Sequence, residues 1–182
     1  MSRCPPRSTP ARPRLLIVDL EATCWDRGKH RPGLMETIEI GAVLVDAEQL
    51  EELTSFERFV RPVRRPVLSA FCTELTGIRQ EHVQEADRFP DVFRAFLEWM
   101  GDTTDLTFAS WGEYDRTQFH RDCGFHRVRY PFGEHHFNIR KHFAEQMSCT
   151  RRGLAPALNP STAPESGRTA RSTRSRGRRA AP

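Results

Sequence analysis

The chain alternates between two apolar rhythms. In "RLLIVDLEAT" (14–23) four apolar residues run straight into Asp19 and Glu21, which share one face because side chains alternate along a strand. "ETIEIGAVLVDAEQ" (36–49) and "ELTSFERFVRPV" (52–63) read as a second and third strand, the third closed by Pro62 and Pro66. The short connections suit an antiparallel meander. The rhythm then turns helical. "LSAFCTELTGI" (68–78) has apolar residues at 68, 71, 72 and 75, "QEHVQEA" (80–86) makes one or two turns, and "FPDVFRAFLEWMG" (89–101) spaces Val92, Phe93, Phe96, Leu97 and Met100 as a helix before Gly101. "LTFASW" (106–111) is a fourth strand, "EYDRTQFHRDCGF" (113–125) a helix, "HHFNIR" (135–140) a fifth strand and "RKHFAEQM" (140–147) a last helix. The prediction is an α/β fold: a mixed five-stranded sheet, three antiparallel strands and then two parallel ones, flanked by helices.

Charge separates the ends from the middle. Residues 151–182 hold eight arginines and one acidic residue, so the net +4 of the chain belongs to this segment and the rest is slightly acidic. With two leucines and no aromatic residue, 151–182 cannot bury enough apolar area to offset ordering entropy, and it is expected to be disordered. The proline-rich residues 1–13 are expected to form a second disordered arm, leaving 14–150 as a single domain. No window approaches the roughly 18 apolar residues of a membrane span, and the N-terminus has no apolar core of a secretion signal. Five cysteines without a C-x-x-C pair suit reduced thiols. These features predict a soluble, cytoplasmic protein without membrane contact.

Candidate chemistry begins with the carboxylates on the first strand. Asp115 follows the fourth strand, and if that strand neighbours the first, Asp19, Glu21 and Asp115 reach one patch at the strand ends. Carboxylates that converge without a buried arginine require cations, and oxygen-only donors select Mg²⁺ or Mn²⁺. Paired metals of this kind hydrolyse phosphate esters. Solvated carboxylates at strand ends fit the same spacing, so the residues alone leave both readings open.

The segments "DLEATCW", "IEIGAVLVD", "RPVRRPVLSAFCTELTGI", "SWGEYDRTQF" and "FNIRKHFAEQM", in this order over about residues 14–150, resemble the DEDDh family of 3′-to-5′ exonucleases of the ribonuclease H-like fold. The resemblance is to its Eri-type exoribonuclease branch and the bacterial KapD-like relatives. It implies that Asp19, Glu21 and Asp115 are catalytic ligands of two Mg²⁺ ions, for which Mn²⁺ can substitute, and that the partner is single-stranded RNA with a free 3′ end. It also implies that the backbone at Ala22 and Thr23 and the helix carrying Phe71 and Leu75 border the terminal nucleotide, the two side chains stacking on a base regardless of sequence. Ordinary core packing remains the competing role for Phe71 and Leu75. Trp111 and Tyr114 flank Asp115 and either shape the pocket or pack. Glu39 supports the site without binding metal, and His135 and His136 have surface or core roles. A DNA-directed exonuclease of this fold and a non-catalytic nucleic-acid-binding protein are the alternatives.

One family feature is missing. The C-terminal H-x-x-x-x-D motif supplies a general base and a further ligand, yet there is no Asp after Asp122 and no His after His142. "CTRRGLAPAL" still reads as the start of a next helix, after which Arg, Ser, Thr and Ala take over. The domain is therefore expected to be truncated at its C-terminal end, with one sheet face uncovered and the nuclease impaired. GC-rich codons for "RTARSTR", read one base earlier, permit His-Arg-Ala-Leu-Asp-Ala. A shifted reading frame near residue 159 and a genuine basic arm that contacts phosphates both account for the tail.

Overall fold

Alternation along β1 (Arg14–Ala22) sorts the opening motif onto two faces: Leu16, Val18, Leu20 and Ala22 are buried, whereas Asp19 is exposed and Glu21 half-buried. The protein, seen in a computed structural model, is described at residues 12–26, 32–148, 150 and 153–158. Expectations for residues 1–11, 27–31, 149, 151–152 and 159–182, which include Cys4, Cys149 and most of the two terminal segments, fall outside these.

β1 lies at the centre of a five-stranded sheet ordered β3-β2-β1-β4-β5. It pairs antiparallel with β2 (Thr37–Asp46), which pairs antiparallel with β3 (Glu52–Phe59), and parallel with β4 (Leu106–Ser110). β5 (Phe137–Asn138) pairs parallel with β4. This is the expected mixed sheet. The fifth strand is much shorter than "HHFNIR" suggests: the Asn138 side chain accepts from the Lys141 amide at 3.0 Å and caps α5 (Ile139–Gln146), so Ile139 and Arg140 turn helical. His135 and His136 precede the strand instead of alternating along it.

One face of the sheet is sealed by apolar residues. α3 (Phe89–Met100) lays Phe89, Val92, Phe93, Phe96 and Met100 on Leu16, Val18, Leu20, Ile40 and Phe56, and α4 (Tyr114–His126) adds Phe119 and Cys123. Each of these large side chains contributes roughly 1.5–3 kcal/mol on burial. A smaller cluster of Ala22, Cys24, Met35, Ile38, Cys72, Ile78 and Val83 lies under α1 (Ala70–Thr76) and α2 (Gln80–Gln84). On the opposite face Ile17, Val43 and Val45 are half-buried and Ser55 and Glu57 exposed. That face carries Asp19 and Glu21.

The chain divides into two units, Met1–Arg151 and Arg152–Pro182. In the second, Leu154–Leu158 form a five-residue helix, α6, inside the segment expected to lack structure and at the place where "CTRRGLAPAL" suggests a helix start. No helix among the described residues is long and apolar enough to cross a membrane.

Candidate active site

β1 and β4 pair only from Arg14 opposite Leu106 to Ile17 opposite Ala109. Beyond that point the Leu20 amide finds a side chain in place of a strand, donating to Asp115 Oδ1 at 3.0 Å. Asp115 occupies the first turn of α4, where the helix dipole favours a negative group. On the other side of β1, Glu21 stands opposite Glu39, and Ala22 opposite Thr37, so Ile38 is an extra residue in β2. The bulge bends β2 at the carboxylates, a place where such irregularities re-aim side chains.

The carboxylates of Asp19, Glu21, Glu39 and Asp115 feel one another. Burial pushes Glu21 up to about 7, with repulsion from Asp19, Glu39 and Asp115 adding to it. Burial likewise raises Asp115 to about 6, aided by Asp19 and opposed by hydrogen bonds from the Leu20 amide, its own amide and the Ser110 hydroxyl. Glu39 is raised by burial first and by Glu57 next. Among the described residues no Lys, Arg or His forms an ion pair with Asp19, Glu21 or Asp115. Nor are any three His, Cys, Asp or Glu drawn tightly enough together to cage an ion by themselves. Oxygen-only donors with uncompensated repulsion are nevertheless the donor set that hard divalent cations match.

Buried polar groups hold this arrangement in place. Asp122, two turns below Asp115 on α4, accepts through Oδ2 from the Thr37 amide at 3.1 Å, the Thr37 hydroxyl at 2.6 Å and Gln118 Nε2 at 3.0 Å. This ties α4 to the start of β2 beside the bulge. Glu36 accepts from the amides of Val63, Arg64 and Arg65 at 2.8–3.1 Å, while its own amide donates to Thr23 Oγ1 at 3.0 Å. Each buried bond of this kind is expensive to leave unmade.

α1 stands over the far end of β1. The Ser69 side chain accepts from the Cys72 amide to cap α1 and donates to the Cys24 carbonyl at 2.7 Å, and Gly77 at φ 75° ends the helix in the left-handed region. Cys72 faces the core, which turns Phe71 and Leu75 outward: they are 36% and 65% exposed, so neither is a core residue. Together with Glu21, Ala22, Cys24, Trp25, Met35 and Tyr114 they line a cavity of about 530 Å³. An adjoining groove of about 590 Å³ is lined by Asp19, Glu21, Glu39, Ser55 and Glu57 among others. Glu21 borders both hollows, one mainly apolar and one acidic.

The structure thus brings Asp19, Glu21 and Asp115 together and puts Ala22, Phe71 and Leu75 beside them. It treats two other candidates differently. Thr23 is buried with its amide donating to the Glu36 carbonyl at 2.9 Å and its hydroxyl already accepting, so its polar groups serve the fold. The Trp111 ring packs against Phe143 with centroids 5.8 Å apart and does not line the cavity. Sequence reasoning missed Glu36, Ser110, Gln118 and Asp122, whereas His136, with its side chain 3% exposed, takes the core alternative expected of it. Once Asp115 is placed, Gln118 and Asp122 follow at helical spacing on one buried stripe with Phe119, a signal that an apolar pattern does not carry.

Residues 16–120 match the family model described as Exonuclease. Among curated relatives, 3'-5' exoribonuclease 1 of Rattus norvegicus is 37% identical over 136 residues, which is 71% of this chain but only 39% of that protein. A Bacillus subtilis protein named "Probable 3'-5' exonuclease KapD" is 35% identical over 121 residues, 65% of this chain and 57% of its own. The crystal structure of the nuclease domain of 3'hExo, a DEDDh family member bound to rAMP, superimposes with a TM-score of 0.70 at 32% identity, covering 79% of this chain and 75% of that one.

Proposed function

Because the chain belongs to this exonuclease family, we propose that it removes nucleotides one at a time from the 3′ end of single-stranded RNA. The observation that carries the reading is the position of Glu21 on the border between an acidic groove and a nucleoside-sized cavity. The exoribonuclease name of the rat relative and the rAMP bound to 3'hExo favour RNA. Residues 14–150 are the exonuclease domain, and the arginine-rich segment after them adds sequence-independent phosphate contacts. Free, buried Cys24, Cys72 and Cys123 suit a cytoplasmic site of action.

Enzymes of this family depend on divalent cations, and in this chain Asp19, Glu21 and Asp115 would hold a pair of Mg²⁺ ions, Mn²⁺ substituting. Such ions, when bound, activate the attacking water and stabilise the leaving oxygen. The protein's own residues do the rest. Phe71 and Leu75 take the terminal base on apolar surface that any base can use. The bond from Leu20 and the anchoring of α4 through Asp122 keep Asp115 at the strand end, where the scissile phosphate would meet it.

No histidine among the described residues lines either hollow, and no His follows His142 to supply the base expected from the C-terminal H-x-x-x-x-D motif. A missing base costs about 10² to 10⁴ in rate, and trimming by this chain is correspondingly slow. Incubating the chain with 5′-labelled RNA in Mn²⁺ tests the reading: a ladder that shortens from the 3′ end supports it. Binding of RNA without any shortening supports a non-catalytic nucleic-acid-binding role, and faster trimming of a matched DNA strand supports a DNA-directed enzyme.

A further inference from the structure

Resting on the reading of the cavity as the seat of a 3′-terminal nucleotide, we infer that arginines gathered around the exposed ring of Phe125 bind the phosphates of the RNA strand upstream of that nucleotide. Phe125 lies in the last turn of α4 and is 43% exposed. The Arg64 guanidinium stands over its ring, with Cζ 4.2 Å from the centroid, and donates through both terminal nitrogens to the Gly33 carbonyl at 2.9 and 3.0 Å. A cation held by an aromatic face and a carbonyl is ordered before any ligand arrives. Two of its five N–H groups are spent on that carbonyl, which leaves the rest of the fork for another acceptor.

Other cations collect at the same place. The Arg61 amide donates to the Asp87 carbonyl, beside Arg88, at 2.8 Å. Phe89 stacks on His126 with centroids 5.1 Å apart, and His126 meets Phe125 edge-on at 4.7 Å. Arg65, Arg88 and Arg127 adjoin Arg64, Phe89 and His126 in the chain, and with Arg61 all are exposed. Neither they nor Arg64 forms an ion pair among the described residues. The Glu36 carboxylate is buried and taken up by the amides of Val63, Arg64 and Arg65, so it does not close off their guanidinium groups. Unpaired arginines around an exposed ring are the surface that a single strand uses, phosphates on the cations and a base on the ring.

The place of the patch selects its ligand. Met35 lines the cavity, the turn Pro32–Leu34 precedes it, and Arg64 holds the Gly33 carbonyl of that turn. The cavity's other neighbour is the groove of Asp19, Glu21, Glu39 and Glu57, whose charge repels phosphate wherever cations do not screen it. A strand leaving the cavity on the Met35 side therefore meets positive charge. An acidic protein segment would satisfy the same arginines but would leave their continuity with the cavity without a purpose.

The test is binding by the full chain in chelator, where no cleavage competes, read as fluorescence anisotropy of a labelled single-stranded RNA of about 12 nucleotides over a salt series. Each lost phosphate contact lowers the slope of log affinity against log salt by about 0.7, so Arg61→Gln/Arg64→Gln/Arg65→Gln is expected to lower it by about 2. The arginine-rich tail is present in every protein compared, so the difference reports the patch alone. Arg61→Gln/Arg65→Gln, which leaves the Arg64 contacts in place, is expected to give about two-thirds of that change and to melt with the parent. Phe125→Ala is expected to weaken binding about fivefold or more, the lower end of one stacked base, and Phe125→Tyr to bind as the parent does. A parent-like slope in Arg61→Gln/Arg65→Gln overturns the inference. So does polyglutamate that binds the parent as tightly as the RNA does, which marks an acidic protein surface instead. If RNA binding follows the expected pattern while the parent never shortens RNA in Mn²⁺, the exonuclease reading fails and the patch stands; if the parent shortens RNA and every variant binds as it does, the reading stands and the patch falls.

Discussion

Replacing Asp115 by Asn should stabilise the metal-free protein while abolishing the cation site, two effects of opposite sign from one atom. The carboxyl is 4% exposed and burial carries it from 3.8 to about 6, which corresponds to roughly 3 kcal/mol between its two protonation states. For an acid whose folded-state value is raised, that stability is fully present below the unfolded value near 3.8 and is lost as pH rises through about 6. Asparagine never ionises and keeps an oxygen for the Leu20 amide, although its NH₂ replaces a second acceptor. A net gain of about 1–2 kcal/mol near pH 8 remains, or roughly 3–8 °C in Tm for a domain of this size. Thermal unfolding by circular dichroism in chelator, near pH 8 and near pH 5, measures it. The variant should melt higher at the upper pH, the gap should close at the lower, and saturating Mn²⁺ should raise the parent but not the variant. If Asp115→Asn melts lower than the parent near pH 8 without metal, the repulsion on which the site description rests is refuted.

Much of this is legible from residue pattern, and the exceptions share a cause. The alternation around Asp19 and Glu21 locates a strand and its functional face, and Val92, Phe93, Phe96 and Met100 locate the covering helix, because burial of apolar area dominates both. Asp122 and Gln118 escape notice because they are polar residues buried on a stripe shared with Phe119, where hydrogen bonds to Thr37 and Met35 replace apolar contact. The fifth strand is overextended in the sequence because Asn138 fits an alternating run, whereas its side chain caps α5. Sequence leaves Phe71 and Leu75 between core and surface, and the cap at Ser69 decides it by rotating Cys72 inward. No periodic signal marks the burial of His136, which is set by Ser110 and Glu113 from other elements.

Other consequences can be measured directly. Asp122→Ala leaves the Thr37 amide and hydroxyl and Gln118 without their acceptor, and should cost about 2–4 kcal/mol in urea unfolding; a change below about 0.5 kcal/mol would remove Asp122 as the anchor of α4. Leu75→Ala, at a position 65% exposed, should alter stability by less than about 0.5 kcal/mol yet raise KM for RNA about fivefold or more, the lower end of one base-stacking contact. An unchanged KM would argue that the cavity does not receive the terminal base. Since protons and cations compete for Glu21, raised to about 7 chiefly by burial, Mn²⁺ affinity should climb between about pH 5.5 and 8 and then level; a flat profile by titration calorimetry would contradict it.

The most direct test of the account follows the polarity and cation dependence of RNA cleavage by the whole chain and by Asp19→Asn. With Mn²⁺ and a 5′-labelled oligonucleotide, the parent should produce a slow ladder descending one nucleotide at a time, chelator should stop it, and Asp19→Asn should leave the strand intact. A parent that leaves the 3′ end untouched, or trimming that persists in Asp19→Asn, would contradict the assignment of this acidic cluster as the catalytic centre.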